Sequence, residues 1–450
     1  MTRITSDELD IDFEKSTMSQ SIEDILKLAQ ELGATSAEVG VSKQVGLSAN
    51  VRNNDVETIE FNRDSGFAIS VYIGKRKGNA STSDSSPEAL TAAVNAAISI
   101  AQQTTEDPYA GLVDKELLAT EIEDLQLDHP MGITPERAIE YALNTEQAML
   151  DTDNRVKTDG ATFASHRGIR MYGNSNGFIA GYPTSRHVLS SVAIVEDESG
   201  MQRDYYYSVA RNSEKLLSEQ LIGTKAAERS LARLGSQSIT TGEFPALLIP
   251  EMAAGFFGHF IGAIKGGSLY RKSSFLLDTL GQQLFPTEIN IEEKPFIHGA
   301  LGSAPFDAEG VTTRNQHFIR DGILESYVLS SYSAKRLDME TTANAGGVHN
   351  LFVSNSGKNY QQLISEMNTG LIVTEVMGQG VNLVTGDYSR GASGFWVENG
   401  EVKYPVEEIT IAGNLKSMMK NIVAVGNDYD ARLSTQTGSV LLESMTIAGN

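Results

Sequence analysis

The chain has 450 residues, with 36 Lys and Arg against 58 Asp and Glu, and a net charge of -22. That length exceeds one ordinary core, and 21% charged with 40% apolar residues describes a folded chain. The acidic balance excludes a broad basic face for nucleic acid or anionic lipid, and the lack of cysteine excludes disulfides and thiolate metal sites.

The opening "MTRITSDELDIDFEKS" is acidic with no apolar centre, unlike a signal peptide. No run of about 18 apolar residues follows that could span a bilayer, so a cytoplasmic protein is expected, without membrane or nucleic-acid partners. Ser21 is expected to cap a helix from Ile22, with Ile22, Ile25, Leu26 and Ala29 on one face and Gly33 closing it. Strands are expected near 36–42, 46–53 and 66–74, the last because Phe67, Ile69, Val71 and Ile73 alternate with smaller or polar residues. "GKRKG" at 74–78 reads as a solvated turn. Ser86 caps a second helix, Pro87 suits its first turn, and the alanine-rich run reaches Gln103.

After "TTEDPYAGL" the order repeats: a helix in "TPERAIEYALNTEQAML", strands over roughly 158–210, and a long helix in "SEKLLSEQLIGTKAAERSLARLG". The expectation is an N-terminal α+β domain over 1–236 with two similar subdomains, 19–110 and 120–236. "GSQSITTGEFPALLIP" turns from polar to apolar and puts the boundary near 237. Residues 237–450 read as a β-rich domain, with hairpins at Asp321-Gly322 and Asn399-Gly400. The fold class is therefore α+β: two helix–strands–helix subdomains, then a large, mostly antiparallel sheet domain with one glycine-rich helix.

That helix, "AAGFFGHFIGAIKGGS" (253–268), raises its own question. Gly258, Gly262 and Gly266 recur at four-residue spacing, with Gly255 three residues before them, leaving a face without side chains. Each glycine in a helix costs about 1 kcal/mol, so a close-packing face is expected, inside the subunit or against another chain. His259 is not explained by packing.

Catalytic signatures are scarce: no phosphate loop, nucleophile elbow or HExxH is present. "TGDYSRGASGFW" (385–396) collects Asp387, Tyr388, Ser389 and Arg390, then Ser393 and Trp396. It is either an ordered turn entering a strand or a substrate-contacting loop. His349 and Asn350 in "NAGGVHNLFVSNSG" pose the same choice, a satisfied structural histidine being the simpler one. His298 and His317 read as surface residues.

The stretches "RDGILESYVLSSYSAKRL", "NAGGVHN", "GQGVNLVTGDYSRGASGFWVENGEVKYPV", "EITIAGNL", "NIVAVGND" and "GSVLLESMTIAG" resemble the TldD/TldE family, also called modulators of DNA gyrase. Nearly the whole chain is similar to its TldE (PmbA) branch. The TldD branch carries HExxxH on the matching helix. Setting its final Gly-His on Gly258-His259 puts Ala254 at the first ligand and Gly255 at the glutamate. The cysteine ligand that branch uses has no counterpart either.

A hydrolytic zinc needs about three protein ligands, an open position and a base. The resemblance thus implies no catalytic residue and no cofactor in this chain. Zinc would reside in a TldD-type partner, the substrates being unfolded peptides such as a microcin leader or a labile antitoxin, held extended along a sheet. Two other readings stay open: a self-sufficient hydrolase using Asp387 to Arg390, and a non-enzymatic regulator binding DNA gyrase or a toxin–antitoxin protein. A homodimer in isolation also stays open.

Overall fold

The structure is a computed structural model describing residues 9–449. Helix α1 (Ile11–Glu31) starts a full ten residues before the expected cap: the Asp10 carboxylate accepts the Phe13 N–H at 3.1 Å. Ser21 sits inside the helix, its hydroxyl bonded back to the Thr17 carbonyl. The buried stripe of Met18, Ile22, Ile25 and Ala29 extends upstream, and packing outweighs the local capping signal.

Strand β1 (Ser36–Arg52) runs unbroken where two strands were expected. It turns at Asn53-Asn54, both at positive φ (54° and 60°), into β2 (Asp55–Ile73), which leads to β3 (Arg76–Thr82). Helix α2 (Pro87–Gln103) is capped by the Ser86 hydroxyl, as the sequence indicates. The second set comprises α3 (Pro135–Leu150), β4 (Val156–Asn174), β5 (Phe178–Asp197), β6 (Gly200–Ala210) and α4 (Glu219–Leu231). The long helix expected from residue 213 is shorter. Ser213–Lys215 form a single 3₁₀ turn, and Ser218 caps α4.

The two sets form one sheet, in the order β3-β2-β1-β4-β5-β6, joined by antiparallel pairing of β1 with β4 from Glu38↔Asn174 to Val51↔Ala161. Alternation along the strands decides which face is covered. Val39, Val41, Leu47 and Ala49 of β1, with Phe163, Ile169 and Met171 of β4, lie beneath the four helices. Burying each such side chain contributes roughly 1.5–3 kcal/mol. The opposite face carries Glu38, Gly40, Ser42 and Arg170 and looks toward the C-terminal half.

That half holds two sheets rather than one. Strands β7 (Gly242–Leu248), β12 (Gly370–Met377), β13 (Asp387–Glu398), β14 (Glu401–Asn414), β15 (Ile422–Val425) and β17 (Val440–Ala448) form the order β14-β13-β12-β7-β17-β15, and β14 also pairs with β17. The smaller sheet, β10-β9-β8-β11-β16, uses β8 (Ile291–Glu293), β9 (Gln316–Arg320), β10 (Ile323–Leu324), β11 (Leu351–Val353) and β16 (Thr435–Gln436). Most pairings are antiparallel; β12 with β7 and β11 with β16 are parallel. Both expected hairpin turns form, with Asp321, Gly322, Asn399 and Gly400 all at positive φ. The glycine-rich segment gives α5 (Pro250–Ala263) and a short α6 (Gly266–Tyr270).

Candidate functional site

Pro250 occupies the first turn of α5. Phe256, Phe257, Phe260 and Ile261 anchor the helix in the main C-terminal core. On the other side Gly255 and Gly258 are exposed, and a Cβ at either position would meet nothing within 4 Å. This corrects the internal half of the expectation for Gly255, Gly258, Gly262 and Gly266: within the subunit nothing packs on Gly255 or Gly258. Of the four, Gly262 lies near Leu383 Cδ1 (3.2 Å from a Cβ there), and Gly266 would bring a Cβ to 2.3 Å from Ser333 Oγ. Gly266 is out of the stripe because the helix breaks before it. Lys265 leaves helical conformation, and the Gly266 N–H bonds to the Val328 carbonyl, so Gly266 starts α6 instead of extending the stripe.

His259 shares the open side with Ala254, and its ring stands edge-on to Tyr388, centroids 6.1 Å apart at 71°. Burial first, then the Arg390 guanidinium, push the imidazole below its usual value, so it is neutral at pH 7. Burial pushes the Tyr388 phenol up, with Arg390 opposing. Both partners come from β13, whose period of two puts Tyr388 and Arg390 on one face and Asp387 and Ser389 on the other. The Asp387 carboxylate accepts the Thr385 hydroxyl at 2.7 Å and Asn414 Nδ2 at 3.3 Å, closing a turn. Ser389 donates its backbone N–H to the Gly380 carbonyl. The residues 387–390 therefore do not converge: Tyr388 and Arg390 meet His259, whereas Asp387 and Ser389 do not. A hydrolase built on that quartet is not assembled.

The donor set does not fit a catalytic zinc. Ala254 and Gly255 offer no ligand or base, and the charged side chain acting on His259 is a cation. Among the described residues no group of three or more His, Asp or Glu is placed to hold a metal.

His349, His298 and His317 lie away from α5 and have partners of their own. The His349 backbone N–H donates to Glu293 Oε1 at 2.6 Å, and its Nδ1 lies 2.9 Å from the same oxygen. Burial would raise the Glu293 carboxyl, but hydrogen bonds from His349 and Gln316 hold it below its ordinary value. Asn350 bridges Lys294 and Ser303. His298 is half-exposed beside Glu123, and His317 lies against Arg320.

Sequence reading missed the space between the halves. A cavity of about 940 Å³ lies between the polar face of the N-terminal sheet and the loops at 304–308 and 345–349. A neighbouring cavity of about 690 Å³ reaches Glu38, Tyr72, Lys77, Tyr172 and Glu309. There Glu38 accepts from Tyr72 Oη (2.8 Å), Tyr172 Oη (2.9 Å) and Lys77 Nζ (3.0 Å). These residues come from distant segments, and no local motif announces them.

Three family models cover most of the chain: PmbA/TldA metallopeptidase domain 1 at residues 37–101, the central domain at 128–234 and the C-terminal domain at 241–449. The chain belongs to the PmbA/TldA metallopeptidase family. It is 48% identical over 440 residues to Metalloprotease PmbA of Escherichia coli O157:H7, covering 98% of both chains, and 47% identical to a Metalloprotease PmbA homolog of Haemophilus influenzae, covering 97% of both. A Bacteroides thetaiotaomicron structure from the group called modulators of DNA gyrase matches with a TM-score of 0.90 at 26% identity, over 96% of this chain and 98% of that one. TldE from Thermococcus kodakarensis shares the fold, with a TM-score of 0.84 at 20% identity over 95% of this chain and all of that one. Within this PmbA-type chain no described helix is long and apolar enough to cross a membrane.

Proposed function

We propose that this PmbA-type chain is the zinc-free subunit of a heteromeric metalloprotease of the cytoplasm, completing a chamber whose zinc is carried by a TldD-type subunit. Its substrates are unfolded peptides, as in microcin maturation and antitoxin degradation. The observation that carries the reading is the surface of α5. Where a peptidase helix needs two histidines and a glutamate, Ala254, Gly255 and His259 leave one neutral imidazole beside Arg390. The strip at Gly255 and Gly258 is left open, giving room for a second backbone to approach.

Zinc content tests this directly. After equilibration with zinc and removal of free metal, the purified chain is expected to hold far less than one zinc per molecule. Stoichiometric zinc that disappears in His259→Ala would overturn the reading.

A further inference from the structure

Three arginines line one cavity in a chain whose net charge is -22. The cavity, about 790 Å³, lies on the polar face of the N-terminal sheet and is bounded by residues 301–303 of the C-terminal half. Cross-strand pairing builds its floor. His166, Gly168 and Arg170 of β4 stand opposite Arg186, Thr184 and Tyr182 of β5. Directly opposite residues project to one face, so Arg170 and Arg186 flank the Gly168–Thr184 pair on the same side of the sheet. Arg211, just after β6, lines the same space.

The positive charge there is not compensated. Lys43 and Arg167, which also border the cavity, are paired with Glu14 and with Asp128 (2.7 Å). Arg170 and Arg186 are exposed, and neither guanidinium has a hydrogen-bond or ion-pair partner among the described residues. Arg211 is part-buried and donates to carbonyls, those of Ala300 (2.9 Å), Leu301 (2.8 Å) and Ser185 (3.3 Å). Burial pushes it below its usual value; Tyr182 opposes this and Arg186 adds to it. The His166 imidazole is pushed down by burial and then by Arg186, so it adds no charge at pH 7. One carboxylate, Asp64, borders the cavity, with no ion pair to the three arginines among the described residues. A guanidinium taken partly out of water costs free energy unless a counter-charge meets it. Elsewhere the chain supplies one: Arg233 reaches Glu375 at 2.8 Å and Arg432 reaches Glu251 at 2.9 Å.

The space continues. Ser42, Arg170 and Tyr182 also line the cavity of about 940 Å³ beside it. Its walls include Gly40, Phe67, Phe306 and Val348, and its Asp307 carboxylate is already occupied by the N–H groups of Glu309, Val311 and Ala345. A cationic end thus opens onto a largely uncharged chamber.

We propose that the arginine-lined cavity is a carboxylate site, taking the C-terminal carboxylate of a peptide whose body lies in the larger cavity. Arg170 and Arg186 supply charge-assisted hydrogen bonds, the guanidinium fork matching the two oxygens of a carboxylate, and the hydroxyls of Tyr182 and Thr184 lie beside them. The inference deepens the proposed function and rests on it only in taking the ligand to be a peptide. Phosphate shares the oxyanion chemistry but has no body to fill the second cavity, and the test separates the two.

The test is calorimetric titration of the full chain, without a second subunit. The probes are an N-acetylated pentapeptide of alanine, serine and phenylalanine with a free C-terminal carboxylate, the same peptide as its C-terminal amide, and inorganic phosphate. The acid is expected to bind about ten-fold more tightly than the amide, the difference a charged hydrogen-bond partner makes, and more weakly as salt rises. Arg170→Gln and Arg186→Gln are each expected to weaken the acid about ten-fold. Amide binding and the thermal melt should not change, because both side chains are exposed and unpartnered. Arg320→Gln, the same charge change at an exposed site on β9, should leave binding as it is. No binding at millimolar concentration, acid and amide binding alike, phosphate binding as tightly as the acid, or equal weakening by Arg320→Gln would each overturn the proposal. None of these outcomes bears on zinc content, so the two readings fail separately.

Discussion

The His259 imidazole stands edge-on to the Tyr388 ring at 6.1 Å, and the charge that reaches it is Arg390. On α5 this chain therefore holds an aromatic contact under a positive field. Removing Arg390 should therefore raise the histidine's pKa. In an NMR titration the His259 Cε1–H of the wild type is expected to titrate below the ordinary value of about 6.5, and to move up in Arg390→Gln. The sign for stability follows from the lowered folded value. The contribution is present above the unfolded pKa and is lost as pH falls through the folded one, so Arg390→Gln should flatten the loss of stability below about pH 6.5. No shift in that titration would remove Arg390 from the account.

The glycines of α5 give opposite expectations at neighbouring positions. Gly255→Ala and Gly258→Ala, where a Cβ meets nothing, should each stabilise the chain by about 0.5–1 kcal/mol. Gly266→Ala, whose Cβ would press on Ser333, should destabilise it. Thermal melts of the three variants separate an open strip from a packed one. Destabilisation at both 255 and 258 would restore the close-packing explanation.

Much of this architecture is legible locally. Asn399-Gly400 and Asp321-Gly322 mark turns because those positions need positive φ, and Ser86-Pro87 marks a helix start because cap and first turn lie side by side. Legibility fails where distant groups decide. Ser21 looks like a cap, yet the buried stripe continuing to Met18 moves the helix start to Asp10. A four-residue glycine spacing looks like one packed face, yet the bond from Gly266 to Val328 breaks the helix there. Asp387, Tyr388, Ser389 and Arg390 look like a cluster in sequence, but a strand's period of two puts Asp387 and Ser389 on one face and Tyr388 and Arg390 on the other. The inter-domain cavities depend on which distant segments come to face each other, which no local pattern encodes.

Arg432 holds the two halves together. Its guanidinium lies 4.3 Å and 4.6 Å from the rings of Tyr206 and Tyr207 on β6, and bonds Glu251 at the start of α5 at 2.9 Å and also Asp430. Arg229 on α4 reaches the same Glu251 oxygen at 2.9 Å. Arg432→Met leaves Asp430 without its guanidinium partner and Glu251 with Arg229 alone, and should cost about 3–5 kcal/mol. Arg432→Lys should rescue it only in part, since an ammonium lacks the flat fork. Limited proteolysis between the halves should accelerate in both variants, and an unchanged melt in Arg432→Met would contradict the latch.

Glu309 predicts a gain. Burial, helped by Asp307 and opposed by the Ser331 N–H, raises its carboxyl above the ordinary range. A raised folded pKa means stability present below the unfolded value and lost as pH rises through the folded one. Glu309→Gln keeps an acceptor for Ser331 and removes the charge. It should raise the melting temperature at pH 7 by about 2 °C, with the difference vanishing near pH 4. A lower melting temperature at pH 7 would show that the charge is used, for instance by a cation in the adjoining cavity.

The central claim is that this chain supports proteolysis without performing it. The most direct measurement is cleavage of an unstructured peptide by the chain alone, by a TldD-type subunit alone, and by the two mixed, each with and without chelator. The account predicts cleavage by the mixture, abolished by chelator and insensitive to His259→Ala in this chain, with none from this chain alone. Cleavage by this chain alone would contradict it.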